Sequence, residues 1–194
     1  MKAGNHSYEA LNKALETLKS GGTLLTPTDT IWGLSCDATN EAAVEKLIQL
    51  KQRPSGKSFI ILLDADYKLE QYLNDVPGIA YDLIEATEKP LTIIFSGARH
   101  LASNVINEDG SVGIRIVKAP SFCRSLLEKF RKPIVSTSAN LSGQPSPLNF
   151  EDVDEHFLGG VDFVVPAAEA IPAIPKPSTI IRLGPGGEYS LIRK

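Results

Sequence analysis

The residues best suited to bind a small polar ligand lie in one short segment, TPTDTIWGL at 26–34. It follows an apolar run at 22–25 that is typical of a strand. Three threonine hydroxyls and the Asp29 carboxylate crowd a bend that Trp32 and Gly33 are expected to close. Hydroxyls donate and accept hydrogen bonds, so at a strand end these groups can meet a polar ligand. The alternative is a turn capped by its own side chains.

A second candidate site is the basic segment KQRPSGKS at 51–58. Lys51 falls on the apolar face of a predicted helix, where an ammonium group is costly unless it meets water or an anion. A proline then ends the helix, so Arg53 and Lys57 project from a loop. Arginine binds phosphate through two donors and lysine as a mobile point charge, so the segment suits a polyphosphate. The alternative is a solvated basic loop with Lys51 at a helix end.

A third candidate site is the hydroxyl-rich segment STSANLSGQPSP at 136–147, which follows an apolar run at 133–135. Ligands of α/β sheets bind where strands end, although such a segment can also be only a capped loop. Arg115 supports a site because it lies on the opposite face of its predicted strand from the apolar residues, beside Gly113. Ser178 opens a late strand and Arg193 ends the final one, although single arginines are more often surface charges.

The composition is that of an ordinary soluble globular protein. The chain has 194 residues, a net charge of -3 and 42% hydrophobic residues. Two cysteines are too few for a disulfide framework, which favours a cytoplasmic protein, and the scattered histidines suggest no zinc site. With no signal-peptide core and no run of about twenty apolar residues, no membrane association is expected.

Helical and strand patterns alternate along the chain, which predicts one α/β domain with a mixed sheet. Apolar spacing predicts helices over 8–18, 44–48, 79–86 and 122–130. Strands are predicted over 23–26, 59–63, 91–95, 112–116, 162–165, 179–183 and 189–192, with a further strand starting at Pro133. A proline-rich stretch at 166–177 is predicted to be a stiff loop, for which we expect a role as a lid.

Together these segments resemble a known family. PTDTIWGL at 27–34, the K-x-R-P motif at 51–54, PLT at 90–92, VGIR at 112–115, SANLSG at 138–143 and PSTI at 177–180 occur in family order. The chain resembles the YrdC/Sua5-type threonylcarbamoyl-AMP synthases over nearly its whole length. The resemblance implies an open, twisted mixed sheet with flanking helices and a concave basic cleft. It also implies the single-domain form of the family, with one domain over residues 1–194.

The resemblance implies an enzyme, a nucleotidyltransferase. Members of the family convert L-threonine, bicarbonate and ATP into threonylcarbamoyl-AMP and pyrophosphate. A separate transferase complex then passes the threonylcarbamoyl group to adenosine 37 of tRNA. Mg²⁺ is expected to accompany ATP and to be held by phosphates rather than by the protein.

The resemblance also implies roles for individual residues. The ATP-binding residues would be Lys51, Arg53, Lys57, Ser138, Asn140, Ser146 and Arg193. The threonine-binding residues would be Thr28, Thr30, Trp32, Arg115 and Ser178. Trp32 stands where the family more often has tyrosine, and Ser58-Phe59 replaces a usual Pro-Leu pair. No protein nucleophile is assigned, because the chemistry requires only positioning and charge stabilisation.

Two alternatives stay open at this point. A concave basic cleft could bind double-stranded RNA or tRNA through phosphate contacts, in a ribosome-maturation role. The chain could also be a paralogue of the same fold that uses another acyl substrate, since fold does not fix function.

Overall fold

The computed structural model describes residues 7–52, 58–141, 143–147, 149–170, 176–184 and 186–194. The helices of this part of the chain are α1 (Tyr8–Lys19), α2 (Glu41–Leu50), α3 (Leu69–Tyr72), α4 (Gly78–Ala86), α5 (Phe122–Phe130) and α6 (Glu155–Gly160). Ser7, Asn40 and Ser121 begin α1, α2 and α5 by accepting a hydrogen bond from a main-chain N–H of the first turn. Short polar residues favour this capping position, so the sequence itself sets these helix starts.

The strands are β1 (Leu24–Pro27), β2 (Trp32–Asp37), β3 (Ile60–Leu63), β4 (Leu91–Phe95), β5 (Val112–Ile116), β6 (Ile134–Ser138), β7 (Phe163–Val164), β8 (Thr179–Leu183) and β9 (Tyr189–Arg193). They form one sheet in the order β7-β1-β2-β6-β3-β5-β4-β8-β9. The pairs β1/β7, β3/β5 and β4/β8 are parallel and the others are antiparallel. The predicted mixed sheet is therefore confirmed.

Apolar side chains cover the two faces of this sheet unequally. On one face, α2, α3, α4 and α6 pack over Leu34, Ile61 and Ile114 in a large core. On the other face, α1 and α5 cover only Leu24, Leu62 and Ile134 and their neighbours. Side chains alternate between the two faces of a sheet, so residues two positions along from Leu24, Leu62 and Ile134 share this second face. These residues lie beyond the area that the two helices cover. The uncovered remainder of the face is the floor of a cleft.

The segment at 26–34 differs from the sequence prediction. Trp32 and Gly33 are predicted to close a bend, whereas they begin β2, every residue of which is buried. A strand buried on both faces shows no alternation of polar and apolar residues, so its pattern is easily missed. A Cβ at Gly33 would lie 3.1 Å from Oγ of Ser136 and 3.2 Å from the carbonyl oxygen of Thr137. Glycine at this position therefore allows β2 and β6 to pack closely.

The remaining predicted elements agree with the structure to within a few residues at their ends. The strands over 91–95, 112–116 and 179–183 and the helix over 122–130 are confirmed with the same bounds. No helix of the described residues is long and apolar enough to cross a membrane. The expectation of one domain over residues 1–194 stays a prediction.

Candidate functional site

The cleft lies on the sheet face that α1 and α5 leave uncovered, and its cavity volume is about 230 Å³. Its floor includes Gly113 and Arg115 of β5 and Ser136 and Ser138 of β6. The segments 30–31, 177–178 and Ser146 form its walls. None of the described lining residues is acidic, and two are arginines. A negatively charged ligand therefore fits this cleft best.

Thr28 and Thr30 lie in the turn between β1 and β2, but only Thr30 lines the cleft. Oγ1 of Thr28 donates to the carbonyl oxygen of Ile31 at 2.8 Å and accepts from the main-chain N–H groups of Thr30 and Ile31. The two threonine hydroxyls are 2.9 Å apart. Thr28 thus holds the turn together, and the turn presents Thr30 to the cleft.

Trp32 is not among the residues that line the cleft. Its side chain is buried, and its ring centroid is 5.0 Å from that of Phe150. Its carbonyl oxygen accepts a hydrogen bond from the main-chain N–H of Ala139. Trp32 therefore connects the β1–β2 turn to the loop that follows β6. Its predicted contact with threonine stays a prediction.

Lys51 is the C-terminal cap of α2 and is buried. Its Nζ donates to the main-chain carbonyl oxygens of Ser138 and, at 2.8 Å, Asn140. The Asn140 amide nitrogen donates to the carbonyl oxygens of Leu141 and Gln144, at 3.0 and 2.6 Å. The lysine and the asparagine together fix the shape of the loop after β6, which brings Ser138 and Ser146 to the cleft.

Arg115 lies on the floor of the cleft and forms an ion pair with Asp29. Nη2 of Arg115 is 3.0 Å from Oδ1 of Asp29, and the side chains are only 4% and 5% exposed. In the described part of the chain, Nε and Nη2 of Arg115 and Oδ1 of Asp29 are buried without a well-aligned hydrogen bond. Asp29 carries no role in the sequence-based assignment, although it stands in the PTDT motif.

Arg193 approaches the same cleft from β9. Its Nε and Nη2 donate to the carbonyl oxygen of Ser178 at 3.1 and 2.9 Å. Burial, and then the positive charge of Arg115, lower the pKa of Arg193 below the usual arginine value. Oγ of Ser178 is 2.8 Å from Oγ1 of Thr92 on β4. Thr92 is thus a supporting residue without a role in the sequence-based assignment, although the PLT motif contains it.

Some predicted residues lie outside the described part of the chain. These are Arg53 and Lys57, together with residues 171–175 of the proline-rich stretch, so their roles stay predictions. Among the residues that the structure does describe, no group of three or more His, Cys, Asp or Glu side chains could hold a metal ion. The structure brings Thr30, Arg115, Ser138, Ser146, Ser178 and Arg193 to one cleft, whereas Thr28, Trp32, Lys51 and Asn140 are not among the residues that line it.

This geometry defines an α/β protein with an open cleft that is lined by two arginines. A family model described as "Sua5_yciO_yrdC: Telomere recombination" matches residues 16–194. The chain therefore belongs to the Sua5/YciO/YrdC family.

Named relatives and solved structures agree with this membership. A protein of Pseudoalteromonas translucida named "Threonylcarbamoyl-AMP synthase" is 32% identical over 170 residues, which cover 86% of this chain and 89% of the relative. A protein of Psychromonas ingrahamii with the same name is 35% identical over 150 residues, covering 76% and 78% of the two chains.

Among solved structures, P. abyssi Sua5 complexed with L-threonine has a TM-score of 0.83 and is 27% identical. The match covers 94% of this chain but 53% of the Sua5 chain, so this chain spans about half the length of that relative. E. coli YciO has a TM-score of 0.84 and 24% identity, covering 98% and 91% of the two chains. The YciO likeness supports the fold alone.

Proposed function

We propose that this protein is a threonylcarbamoyl-AMP synthase, which forms threonylcarbamoyl-AMP and pyrophosphate from L-threonine, bicarbonate and ATP. The observation that carries the proposal is the cleft itself. Residues from four separate motifs, Thr30, Arg115, Ser138 and Ser178, converge on one cavity although they lie far apart in the sequence. Relatives at 32% and 35% identity carry the same name.

The chemistry needs anion binding more than it needs a nucleophile. The amine of threonine adds to bicarbonate with loss of water, giving a carbamate. A carbamate oxygen then attacks the α-phosphorus of ATP, and the bond to pyrophosphate breaks. Bicarbonate, ATP, the carbamate and both products are anions, and threonine carries a carboxylate group, so preorganised donors that hold these groups in line supply the catalysis. Arg115 and Arg193 are suited to this task because both face a cleft without described acidic residues.

We assign the amino-acid end of the cleft to Thr30, Arg115 and Ser178, with Thr28 and Trp32 supporting the turn. The solved Sua5 relative is complexed with L-threonine, which supports threonine as the substrate. Thr30 and Arg115 line the same cleft. The guanidinium group can donate to a carboxylate, and the Thr30 hydroxyl can pair with the hydroxyl of threonine.

We assign the nucleotide end to Ser138, Ser146 and Arg193, with Arg53 and Lys57 on the phosphates. Lys51 and Asn140 would act on this end by shaping the loop after β6. Mg²⁺ would enter as part of the MgATP substrate, held by phosphate oxygens and water.

A transferase complex that modifies tRNA is the proposed consumer of the product. The mixed anhydride is labile in water, so a partner must accept the threonylcarbamoyl group soon after it forms. A cytoplasmic location follows from this proposal, because ATP and tRNA are found there.

Pyrophosphate release tests the proposal. The purified protein should release pyrophosphate from ATP only when L-threonine and bicarbonate are both present. Omission of either one, and replacement of ATP by GTP, are the controls. Release without threonine, or none with all three substrates, would contradict the proposed function.

The RNA-binding alternative gains less support from the structure. Among the described residues that line the cleft, the cationic ones are Arg115 and Arg193, and Arg115 is buried. Shape recognition of double-stranded RNA needs cations that reach across a groove. A gel-shift titration with a tRNA and an RNA duplex would reveal binding at physiological salt if this alternative held.

A further inference from the structure

The ion pair between Asp29 and Arg115 joins two parts of the molecule that the sheet keeps apart. Asp29 lies in the turn between β1 and β2, and Arg115 lies on β5. In the order β1-β2-β6-β3-β5, three strand spacings separate β2 from β5. Neighbouring strands lie about 4.8 Å apart, so the turn must cross roughly 14 Å of sheet to reach Arg115. The contact therefore ties the turn across the face of β6 and β3.

Asp29 engages one edge of the guanidinium group. The nitrogens Nε and Nη2 are the buried ones, and Nη2 is the one 3.0 Å from Asp29. Arg115 also lines the cleft, so its guanidinium group lies between Asp29 and the space for a ligand. On its other side, Asp29 borders a small cavity near Lys118 and Pro90. The carboxylate thus stands behind the arginine, away from the ligand.

Charge balance supports the same view. The cleft contains two arginines, Arg115 and Arg193, and their mutual repulsion contributes to the lowered pKa of Arg193. Without a carboxylate behind it, Arg115 would be a buried charge beside another cation. Such a charge would move towards water rather than stay on the floor of the cleft.

We propose that Asp29 is a positioning residue, which holds the Arg115 guanidinium and, through the turn, the Thr30 hydroxyl at the amino-acid end of the cleft. This inference rests on the proposed function for the identity of the substrate. Asp29 is not among the described residues that line the cleft, so this role is exerted through Arg115 and the turn.

The direction in which Asp29→Asn changes the KM for threonine distinguishes a positioning role from a purely electrostatic one. Asp29→Asn removes the negative charge and leaves the shape nearly unchanged. If Asp29 only weakened the positive field of the cleft, this variant would bind the carboxylate group of threonine more tightly. If Asp29 positions Arg115, the variant binds threonine more weakly. We expect the KM for threonine to rise about tenfold or more, while the KM for ATP changes far less.

A double-mutant cycle with Arg115→Lys tests whether Asp29 acts through Arg115. Residues that act as one unit give strongly non-additive effects, so Asp29→Asn should add little to a protein that already carries Arg115→Lys. Asp109→Asn is the matched control, since Asp109 also forms a 3.0 Å ion pair, with Arg182, but on the exposed surface. The control should leave the KM for threonine unchanged.

Asp29→Glu keeps the experiment decisive if Asp29→Asn does not fold. It retains the charge but displaces it by one methylene group, so the KM for threonine should again rise. An unchanged or lowered KM in a folded variant, or additive effects in the cycle, would overturn the positioning role. If instead the wild-type protein releases no pyrophosphate, the proposed function fails, and a cycle of urea-unfolding free energies still reports whether Asp29 and Arg115 are coupled.

Discussion

The ammonium group of Lys51 donates a 2.8 Å hydrogen bond to the carbonyl oxygen of Asn140, 89 residues further along the chain. It also donates to the carbonyl oxygen of Ser138, so one buried cation satisfies two main-chain acceptors at the exit of β6. An ammonium group on the apolar side of α2 needs polar partners, and these carbonyl groups supply them. The hydrogen bonds of Lys51 therefore connect the basic segment at 51–58 to the hydroxyl-rich segment at 136–147.

Lys51→Met should damage both stability and ATP use. A hydrogen bond from a charged group contributes about 1.5–3 kcal/mol, so the free energy of unfolding should fall by about that amount. Because the loop carries Ser138 and Ser146, activity at low ATP should also fall, about ten- to a hundredfold. Urea unfolding and pyrophosphate release measure the two effects.

Lys46→Met is the matched control for this prediction. Lys46 lies on the same helix and also donates to a main-chain carbonyl oxygen, that of Gly21 at 3.1 Å, but at an exposed position. Its loss should change the free energy of unfolding by about 0.5 kcal/mol at most. If Lys51→Met lowers ATP use without lowering stability, Lys51 contacts phosphate directly rather than through the loop.

Thr92→Val should weaken threonine use by a smaller factor than Asp29→Asn does. The variant keeps the shape of the side chain but removes the hydroxyl that lies 2.8 Å from Oγ of Ser178. A neutral hydrogen bond contributes about 0.5–1.5 kcal/mol, which predicts a two- to tenfold rise in the KM for threonine. Thr87→Val removes a hydroxyl that bonds only the end of α4, and it should leave this KM unchanged.

The sequence predicts the elements of this fold better than it predicts the contacts of the site. Helix α5 and strand β8 have clear patterns and are found with the predicted bounds. The ion pair between Asp29 and Arg115 could not be predicted in the same way, because it depends on the order in which distant strands pair in the sheet. No local pattern contains that order.

The residue types in a motif also do not show which role each residue has. Thr28 and Thr30 are two residues apart and have identical side chains, yet the hydroxyl of Thr28 is used within the turn while Thr30 lines the cleft. Which threonine faces a ligand depends on the main-chain path of the turn. That path is fixed by the hydrogen bonds of Thr28 and by the ion pair of Asp29.

The amino-acid end of the cleft should select threonine over isosteres. A site that hydrogen-bonds a hydroxyl strongly rejects an analogue without it, whereas one methyl group is worth only about 1–3 kcal/mol. Serine should therefore be a poor but detectable substrate, and valine a much poorer one. Pyrophosphate release with each amino acid measures the order. Equal rates with valine and threonine would contradict a hydroxyl-binding pocket.

The exposed Asp109 should make stability depend on pH in the acid range. Hydrogen bonds from Ser111 and then the ion pair with Arg182 lower the pKa of Asp109 from 3.8 to about 2. A group whose pKa is lowered by folding stabilises the folded state above its unfolded pKa and loses this effect as the pH falls through its folded value. Wild-type protein should thus be more stable than Asp109→Asn at pH 6, and the difference should shrink between pH 4 and pH 2.

Urea-unfolding curves of wild type and Asp109→Asn at several pH values measure this difference directly. Because Asp109 lies on the surface, salt should screen the part of the effect that comes from Arg182, whereas the part that comes from Ser111 should persist. Comparison at low and high salt therefore separates the two causes. A difference that grows on acidification has the opposite sign and would show that these contacts do not favour the ionised carboxylate.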